Sequence, residues 1–433
     1  MSEKINRSAA GSQVGEINEH ISDVSDDKQE KHTSRVLFFA EAVTLAHVAR
    51  PMVLAHVLED AGYEVHFACH PRYRDLFRVL QRPWRPIQSI SSQAFLETLA
   101  SGRPLFDTTT LQSYVKEDLE VIKEVSPGLI IGDLRQSLSV SARIAGIPYM
   151  AISNAYWSPY ARPQYRVPEL PITRLFGTRV ADKLFNLVRP LAFALHTLPL
   201  NRVRKQYGLA SLGLDLMRTY TDADLTLYAD LPELVPTFDR PATHRYIGPI
   251  NWSPSVALPL WWDDLPTDKP IIYVTLGSSG QSELLPRVLQ ALEQLPVTAI
   301  VATAGLIQLE KKPNNIWVTD FLPGDQAASR ASLVICNGGS PTTMQALAVG
   351  VPVVGIASNL DQYLNMSYLE QAGVGTLIRA GQTTASRLRQ VVEMMMENGS
   401  YRDCAKTVMG QVATCRPERN FADLVAEQFK RDG

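Results

Sequence analysis

From Cys336 to Gln345 the chain reads Cys-Asn-Gly-Gly-Ser-Pro-Thr-Thr-Met-Gln, crowding amides, hydroxyls and two glycines into one short run. An apolar stretch, Leu333 to Cys336, precedes it and a helical pattern begins near Thr342, so Asn337, Gly338, Gly339 and Ser340 fall in a strand-to-helix turn. Glycines let backbone approach a ligand closely, and the free N–H groups at a helix start favour an anion such as phosphate. A tight turn with an ordinary N-cap is the plainer reading. Gly277, Ser278 and Ser279 follow the apolar run Ile271 to Leu276 and form a second small-residue turn, either a phosphate contact or one of many such turns. Asp361 and Gln362 stand just past a further strand end and offer acceptors and an amide donor suited to sugar hydroxyls.

A second set lies near the N-terminus. His47 sits in the loop after the apolar run Arg35 to Ala40, where a neutral imidazole can take a proton from a hydroxyl near pH 7. Histidines in loops often do nothing of the kind. Asp133 ends the run Leu129 to Ile131 and belongs to the same sheet edge; it either orients His47 or caps the next helix. His56 falls among Ala55, Val57 and Leu58 on a helix, His66 alternates within a strand and His70 follows it, so each is a weaker base candidate.

The elements that must carry these residues alternate strand and helix. Arg35 to Ala40, a helix from about Val48 to Ala61 closed by Gly62, and Glu64 to Ala68 make an opening β-α-β unit. Strands follow at Leu129 to Ile131, Tyr149 to Ile152 and Leu225 to Tyr228. The proline-studded run from Gly248 reads as a linker. A second series then runs through Ile271 to Leu276, Val297 to Ala302, Ile316 to Val318, Leu333 to Cys336 and Val353 to Ile356. The expected organisation is a polar, disordered tail over 1–33, a first α/β domain over 34–247, a linker over 248–262, a second α/β domain over 263–415, and a C-terminal helix over 416–433 that packs back on the first domain.

Composition narrows the class. With 433 residues, 45% of them hydrophobic, and 42 Lys plus Arg against 44 Asp plus Glu, the chain is globular and has no electrostatic commitment to nucleic acid. Its 4 cysteines form no C-x-x-C pair, which argues against zinc clusters and disulfides and suits a reducing cytoplasm. Residues 1–33 lack the apolar core of a secretory signal, and no apolar run is long enough to span a bilayer. Between Pro159 and Tyr207, nine basic residues face only Glu169 and Asp182. That segment is either a solvated helical insertion packed over the first domain, or an acceptor lid or peripheral membrane contact within 161–206.

Taken together, Asp320-Phe321-Leu322-Pro323, Asn337-Gly338-Gly339-Ser340-Pro341-Thr342, Gln345-Ala346-Leu347, Gly350-Val351-Pro352 and Asp361-Gln362 resemble the donor signature of the family 1 glycosyltransferases. The resemblance implies the GT-B architecture, two Rossmann-like β/α/β domains facing across a cleft. It places Phe321 where an aromatic ring stacks on the nucleobase and Leu322 where backbone pairs with the base edge. Gly339 and Thr342 take phosphate positions, and Asp361 and Gln362 take sugar-hydroxyl positions. Ala46-His47-Val48-Ala49-Arg50-Pro51 is similar to the segment carrying the family's catalytic base, with one extra residue between His and Pro, and Asp133 falls at its dyad partner.

Two positions depart from the family pattern. Asn337 stands where the family usually has His, and Gln345 where it usually has a ribose-gripping Glu; a deoxyribose nucleotide is one match for Gln345. The implied activity is inverting, metal-independent transfer of a hexose-type sugar from a UDP- or TDP-sugar co-substrate to a hydroxyl of a small hydrophobic acceptor, with no other cofactor. Domain closure about the linker would exclude water. A nucleotide-sugar epimerase and a non-catalytic auxiliary partner of a transferase are the alternatives.

Overall fold

The computed structural model describes residues 35–75, 83–277, 282–305 and 313–431. The tail expected over 1–33 and the site candidates Ser278 and Ser279 lie outside them. Seven parallel strands form the first sheet. In chain order they are β1 (Arg35–Ala40), β2 (Glu64–Cys69), β3 (Trp84–Pro86), β4 (Leu129–Asp133), β5 (Tyr149–Ser153), β6 (Leu225–Tyr228) and β7 (His244–Tyr246), arranged 3-2-1-4-5-6-7. The second sheet has β8 (Ile271–Thr275), β9 (Thr298–Ala302), β10 (Ile316–Thr319), β11 (Leu333–Cys336), β12 (Val353–Ala357) and β13 (Gly375–Arg379), arranged 10-9-8-11-12-13. Two doubly wound α/β sheets are therefore present, the GT-B class that the sequence implied.

In both sheets the order reverses beside the first strand, and ligand sites of open parallel sheets sit at that switch, outside the carboxyl ends of the strands. Ala40 pairs in register with Asp133 across β1 and β4, and Thr275 pairs with Cys336 across β8 and β11. All four predicted loops, after β1, β4, β8 and β11, thus leave from switch points. The central strands read clearly in sequence because they are buried on both faces: Val36 to Ala40, Leu129 to Ile131 and Leu333 to Cys336 are almost wholly inaccessible.

Helix α1 (Ala46–Asp60) begins two residues earlier than the apolar pattern indicates, so His47 lies in its first turn rather than in a loop. Helices α2 (Ser92–Ser101), α3 (Thr108–Val125) and α4 (Leu138–Ala145) complete the first layer. A helix of 36 residues, α5 (Pro171–Gln206), then crosses this domain, with a non-helical break at Gly177 (φ 71°), followed by α6 (Leu216–Thr219). In the second domain α7 (Leu285–Glu293), α8 (Gly324–Arg330), α9 (Ser340–Ala348), α10 (Leu360–Gln371), α11 (Ala385–Glu397) and α12 (Ser400–Thr414) pack on the sheet. The last helix, α13 (Pro417–Arg431), returns to the first domain, where Phe421 is fully buried 6.5 Å from the Phe38 ring.

A buried charge cluster fixes the loop that leads into α1. Arg135, fully buried, donates to Asp118 Oδ1 at 2.9 Å, to Glu41 Oε2 at 3.0 Å and to the Gln88 carbonyl at 2.6 Å, and lies 3.7 Å over the Tyr114 ring. Burial pushes the Glu41 carboxyl upward while Arg135 pulls it back. The Glu41 N–H donates to the Asp133 carbonyl at 3.1 Å, and Leu134, between Asp133 and Arg135, adopts a left-handed φ of 58°. Such a conformation is strained for a branched side chain and persists only where neighbours over-determine it. Removing one partner of a buried ionic cluster leaves uncompensated charge, so Arg135→Met is expected to lower stability by about 3 to 5 kcal/mol. Urea unfolding checks this, and a loss too small to measure would contradict the role assigned to the cluster.

Candidate functional site

At the first switch point His47 and Asp133 meet. His47 Nδ1 lies 2.7 Å from Asp133 Oδ1, and the carboxylate is almost wholly buried while the imidazole is about a fifth exposed. With Nδ1–H donating to the carboxylate, Nε2 is left with its lone pair, the tautomer a general base requires. His56 instead stands exposed near Glu59 and Asp60, and His66 Nε2 is 2.7 Å from Glu64, so neither joins this pair. His70 caps a short turn by accepting from the Arg72 N–H.

Arg50 completes the arrangement, a residue that sequence reading did not single out. One turn after His47 on α1, it grips Asp133 with a two-pronged contact, Nε to Oδ2 at 2.9 Å and Nη2 to Oδ1 at 2.9 Å. Burial works against its charge, but Asp133, helped by Tyr156 and Asp230, outweighs that and raises the guanidinium pKa. Its third nitrogen, Nη1, donates to Asn154 Oδ1 at 2.8 Å. The available signal was spacing: a cation at i+3 from a candidate base shares its helix face.

Asn154 carries the network across to the second sheet. Standing just past β5, it donates through Nδ2 to Asp230 at 3.1 Å and to Ser340 Oγ at 3.3 Å. Asp230 also accepts from the Ala155 N–H at 2.6 Å, and burial holds its carboxyl up at about 6 against those hydrogen bonds. Three side chains, Asp133, Arg50 and Asn154, therefore link His47 to the first residue of α9.

The start of α9 is built as an open helix end. Gly339 is the cap residue and supplies no side-chain acceptor, while its own N–H donates to Asn337 Oδ1 at 3.1 Å. The first-turn N–H groups of Ser340 and Thr342 have no carbonyl within the helix to reach, and Pro341 has no N–H to lose. Gly338 has φ 79° and a Cβ there would come within 2.8 Å of Met366, so only glycine suits this turn. Gly277, with φ 63°, lies beside it: a Cβ on Gly277 would stand 3.4 Å from the Asn337 amide nitrogen. The switch-point residues of the second sheet are thus brought together, with Thr342 half-buried at the rim.

The remaining candidates are distributed around this end. Phe321, half exposed at 52%, presents its ring to solvent, and Leu322 beside it is buried. Gln345 donates its amide to the Trp252 carbonyl and to Ser253 Oγ (3.2 Å), tying α9 to the 248–262 segment. Asp361 accepts from Trp157 Nε1 at 2.8 Å and from the Tyr156 hydroxyl, whose pKa burial and Asp361 push far upward. Gln362 is buried in a capping box at the start of α10, where its Oε1 accepts from the Ser358 N–H at 2.8 Å. Its Nε2 is buried without a hydrogen-bond partner. Among the described residues no group of three His, Cys, Asp or Glu side chains is placed to hold a metal ion, and no helix is long and apolar enough to cross a membrane.

Comparison with known proteins identifies the family and the fold. The model of the erythromycin biosynthesis protein CIII-like C-terminal domain matches residues 286–426. A PGL/p-HBAD biosynthesis glycosyltransferase of Mycobacterium tuberculosis (strain H37Ra) is 53% identical over 372 residues, covering 86% of this chain and 87% of that protein. A PGL/p-HBAD biosynthesis rhamnosyltransferase of Mycobacterium bovis (strain BCG / Pasteur 1173P2) is 54% identical over 371 residues, covering 86% of this chain and 82% of that protein. The structure of the glycosyltransferase VinC in complex with dTDP superposes with a TM-score of 0.65 at 18% identity, covering 92% of this chain and 100% of the other, a likeness of fold. With identity above one half along most of both lengths, the chain belongs to the family 1 glycosyltransferases and is a glycosyltransferase.

Proposed function

We propose that this enzyme transfers a hexose-type sugar from a UDP- or TDP-sugar to a hydroxyl of a small hydrophobic acceptor, inverting the anomeric centre and using no metal ion. The observation that carries the reading is the hydrogen-bonded path from His47 through Asp133, Arg50 and Asn154 to Ser340, which connects a candidate base to an uncapped helix start. In the proposed step His47 Nε2 removes the acceptor hydroxyl proton as that oxygen bonds to the anomeric carbon. The bond from that carbon to the diphosphate oxygen breaks, and the nucleoside diphosphate leaves with the electron pair. Asp133 stabilises the imidazolium that results.

The leaving diphosphate would lie against the Ser340 and Thr342 N–H groups, the Asn337 amide, and the backbone of Gly277, Gly338 and Gly339, with Ser278 and Ser279 contributing hydroxyls. Phe321 would stack on the base beside the Leu322 backbone. Asp361 and the unmet Gln362 Nε2 would take the sugar hydroxyls, and a buried donor with no partner supports that assignment. Gln345, whose amide is already committed to the linker, keeps its carbonyl oxygen for the nucleoside; this favours a deoxyribose over a ribose that needs a carboxylate. The VinC complex with dTDP points the same way.

Four measurements test this. A thermal-shift series with TDP, UDP, ADP and GDP should raise the melting point with TDP or UDP alone, since a ligand that binds only the native state stabilises it by about 2.7 kcal/mol at a hundredfold excess over Kd. A shift with ADP or GDP only would remove the donor assignment, and loss of turnover in EDTA would remove metal independence. His47→Ala should reduce kcat by about 10² to 10⁴-fold with the donor-induced shift intact; an active variant would reassign the base. Arg50→Lys, which keeps the charge but loses the two-pronged grip, should lower kcat by about tenfold or more with little change in donor affinity; unchanged kcat would leave Arg50 only a structural part.

A further inference from the structure

The long helix α5 carries an apolar stripe that faces solvent. Val180, Leu184, Leu187, Leu191 and Leu195 recur at intervals of four, three, four and four residues, which keeps them on one helical face over about 22 Å. They are not packed on the first domain: Leu187 is 78% exposed and Leu191 66%. Leu175 and Phe176, next to the Gly177 break, extend the patch at 76% and 59% exposure. The opposite face does the packing, with Ala181 and Phe185 buried against Val167 and Tyr165. A contiguous apolar surface of this extent on a folded protein marks an interaction site.

Charge selects the occupant. Arg174, Arg179 and Lys183 are exposed along this helix, and none has an ion-pair partner among the described residues. Asp182, the acid of the helix, is turned inward, where its Oδ1 accepts from the Val167 N–H at 2.8 Å. A second copy of the chain meeting this face symmetrically would oppose cation to cation. An anionic lipid surface would receive both features, aliphatic side chains into the acyl boundary and cations onto phosphates.

The same helix also reaches the reaction side of the domain. His196, Pro199 and Leu200 of α5 line a pocket together with Phe106, Leu216 and Tyr220, and the Tyr220 ring lies 4.7 Å from Trp157, whose indole bonds Asp361. We propose that the exposed α5 stripe docks the enzyme on an anionic membrane surface, where it meets an acceptor held in the lipid. Docking itself stands apart from the sugar chemistry; only the delivery of acceptor rests on the function proposed above.

The test uses the full chain and vesicles of phosphatidylcholine with or without phosphatidylglycerol. Co-sedimentation is expected with the anionic vesicles and much less with phosphatidylcholine alone. Leu187→Glu combined with Leu191→Glu should abolish it, and Arg179→Gln or Lys183→Gln should weaken it by about fivefold each. All three variants change exposed side chains, so their melting points and their turnover with a water-soluble acceptor should match wild type. Wild type that stays in the supernatant with anionic vesicles, or a double glutamate variant that still sediments, would overturn the proposal. So would sedimentation velocity showing that the stripe forms a dimer in place of binding lipid.

Discussion

An ionised carboxylate buried inside a protein must be met by opposite charge and by hydrogen bonds, or its desolvation costs several kcal/mol. Asp133 is in that position, almost wholly buried at the end of a central strand. Arg50 meets it with two nitrogens and His47 with one. The imidazole is therefore oriented by a pair that neither partner can leave cheaply. Because the guanidinium has a third nitrogen, the same residue that neutralises Asp133 also reaches Asn154, and through it Ser340. The separation between base and phosphate-binding helix is thus set by a chain of hydrogen bonds, in addition to whatever the 248–262 segment imposes.

Apolar contact backs up this polar bridge. Tyr156, Tyr228, Leu231 and Val235 from the first domain share one buried cluster with Leu322, Met344, Tyr363 and Leu364 from the second. Glu169 adds polar ties, accepting from Tyr363 at 3.0 Å and pairing with Arg379 at 2.8 Å. Domains joined by so continuous an apolar interface move less freely than domains joined by a linker alone. Closure by a hinge at the linker, an attractive expectation from its prolines, must therefore work against this contact.

Much of the fold was legible because of where burial falls. Central parallel strands such as Leu333–Cys336 are apolar on both faces and read as unbroken runs. Of the outer strands Ile316–Thr319 was read, whereas Trp84–Pro86, His244–Tyr246 and Gly375–Arg379 escaped; the first two of these are three residues long and mix polar with apolar, so no periodicity can reveal them. Gly177, Pro190 and Pro199 disguised α5, whose backbone nonetheless continues as helix past both prolines. His47, Asp133 and the Asn337 to Ser340 turn were readable from their places at strand ends. Arg50 and Asn154 were not, since their partners lie 83 and 186 residues away and become neighbours only through the sheet order. Gln345 and Gln362 show the limit from the other side, because the amide nitrogen of the first and the amide oxygen of the second are engaged in contacts that sequence cannot display.

The account depends most on the relation between His47 and the open start of α9. A crystal structure with thymidine or uridine diphosphate bound addresses that relation directly. The account predicts diphosphate oxygens within hydrogen-bonding reach of the Ser340 and Thr342 N–H groups, with His47 Nε2 directed at the space where the anomeric carbon would lie. A nucleotide bound elsewhere, or an α9 start closed off by protein side chains, would contradict it.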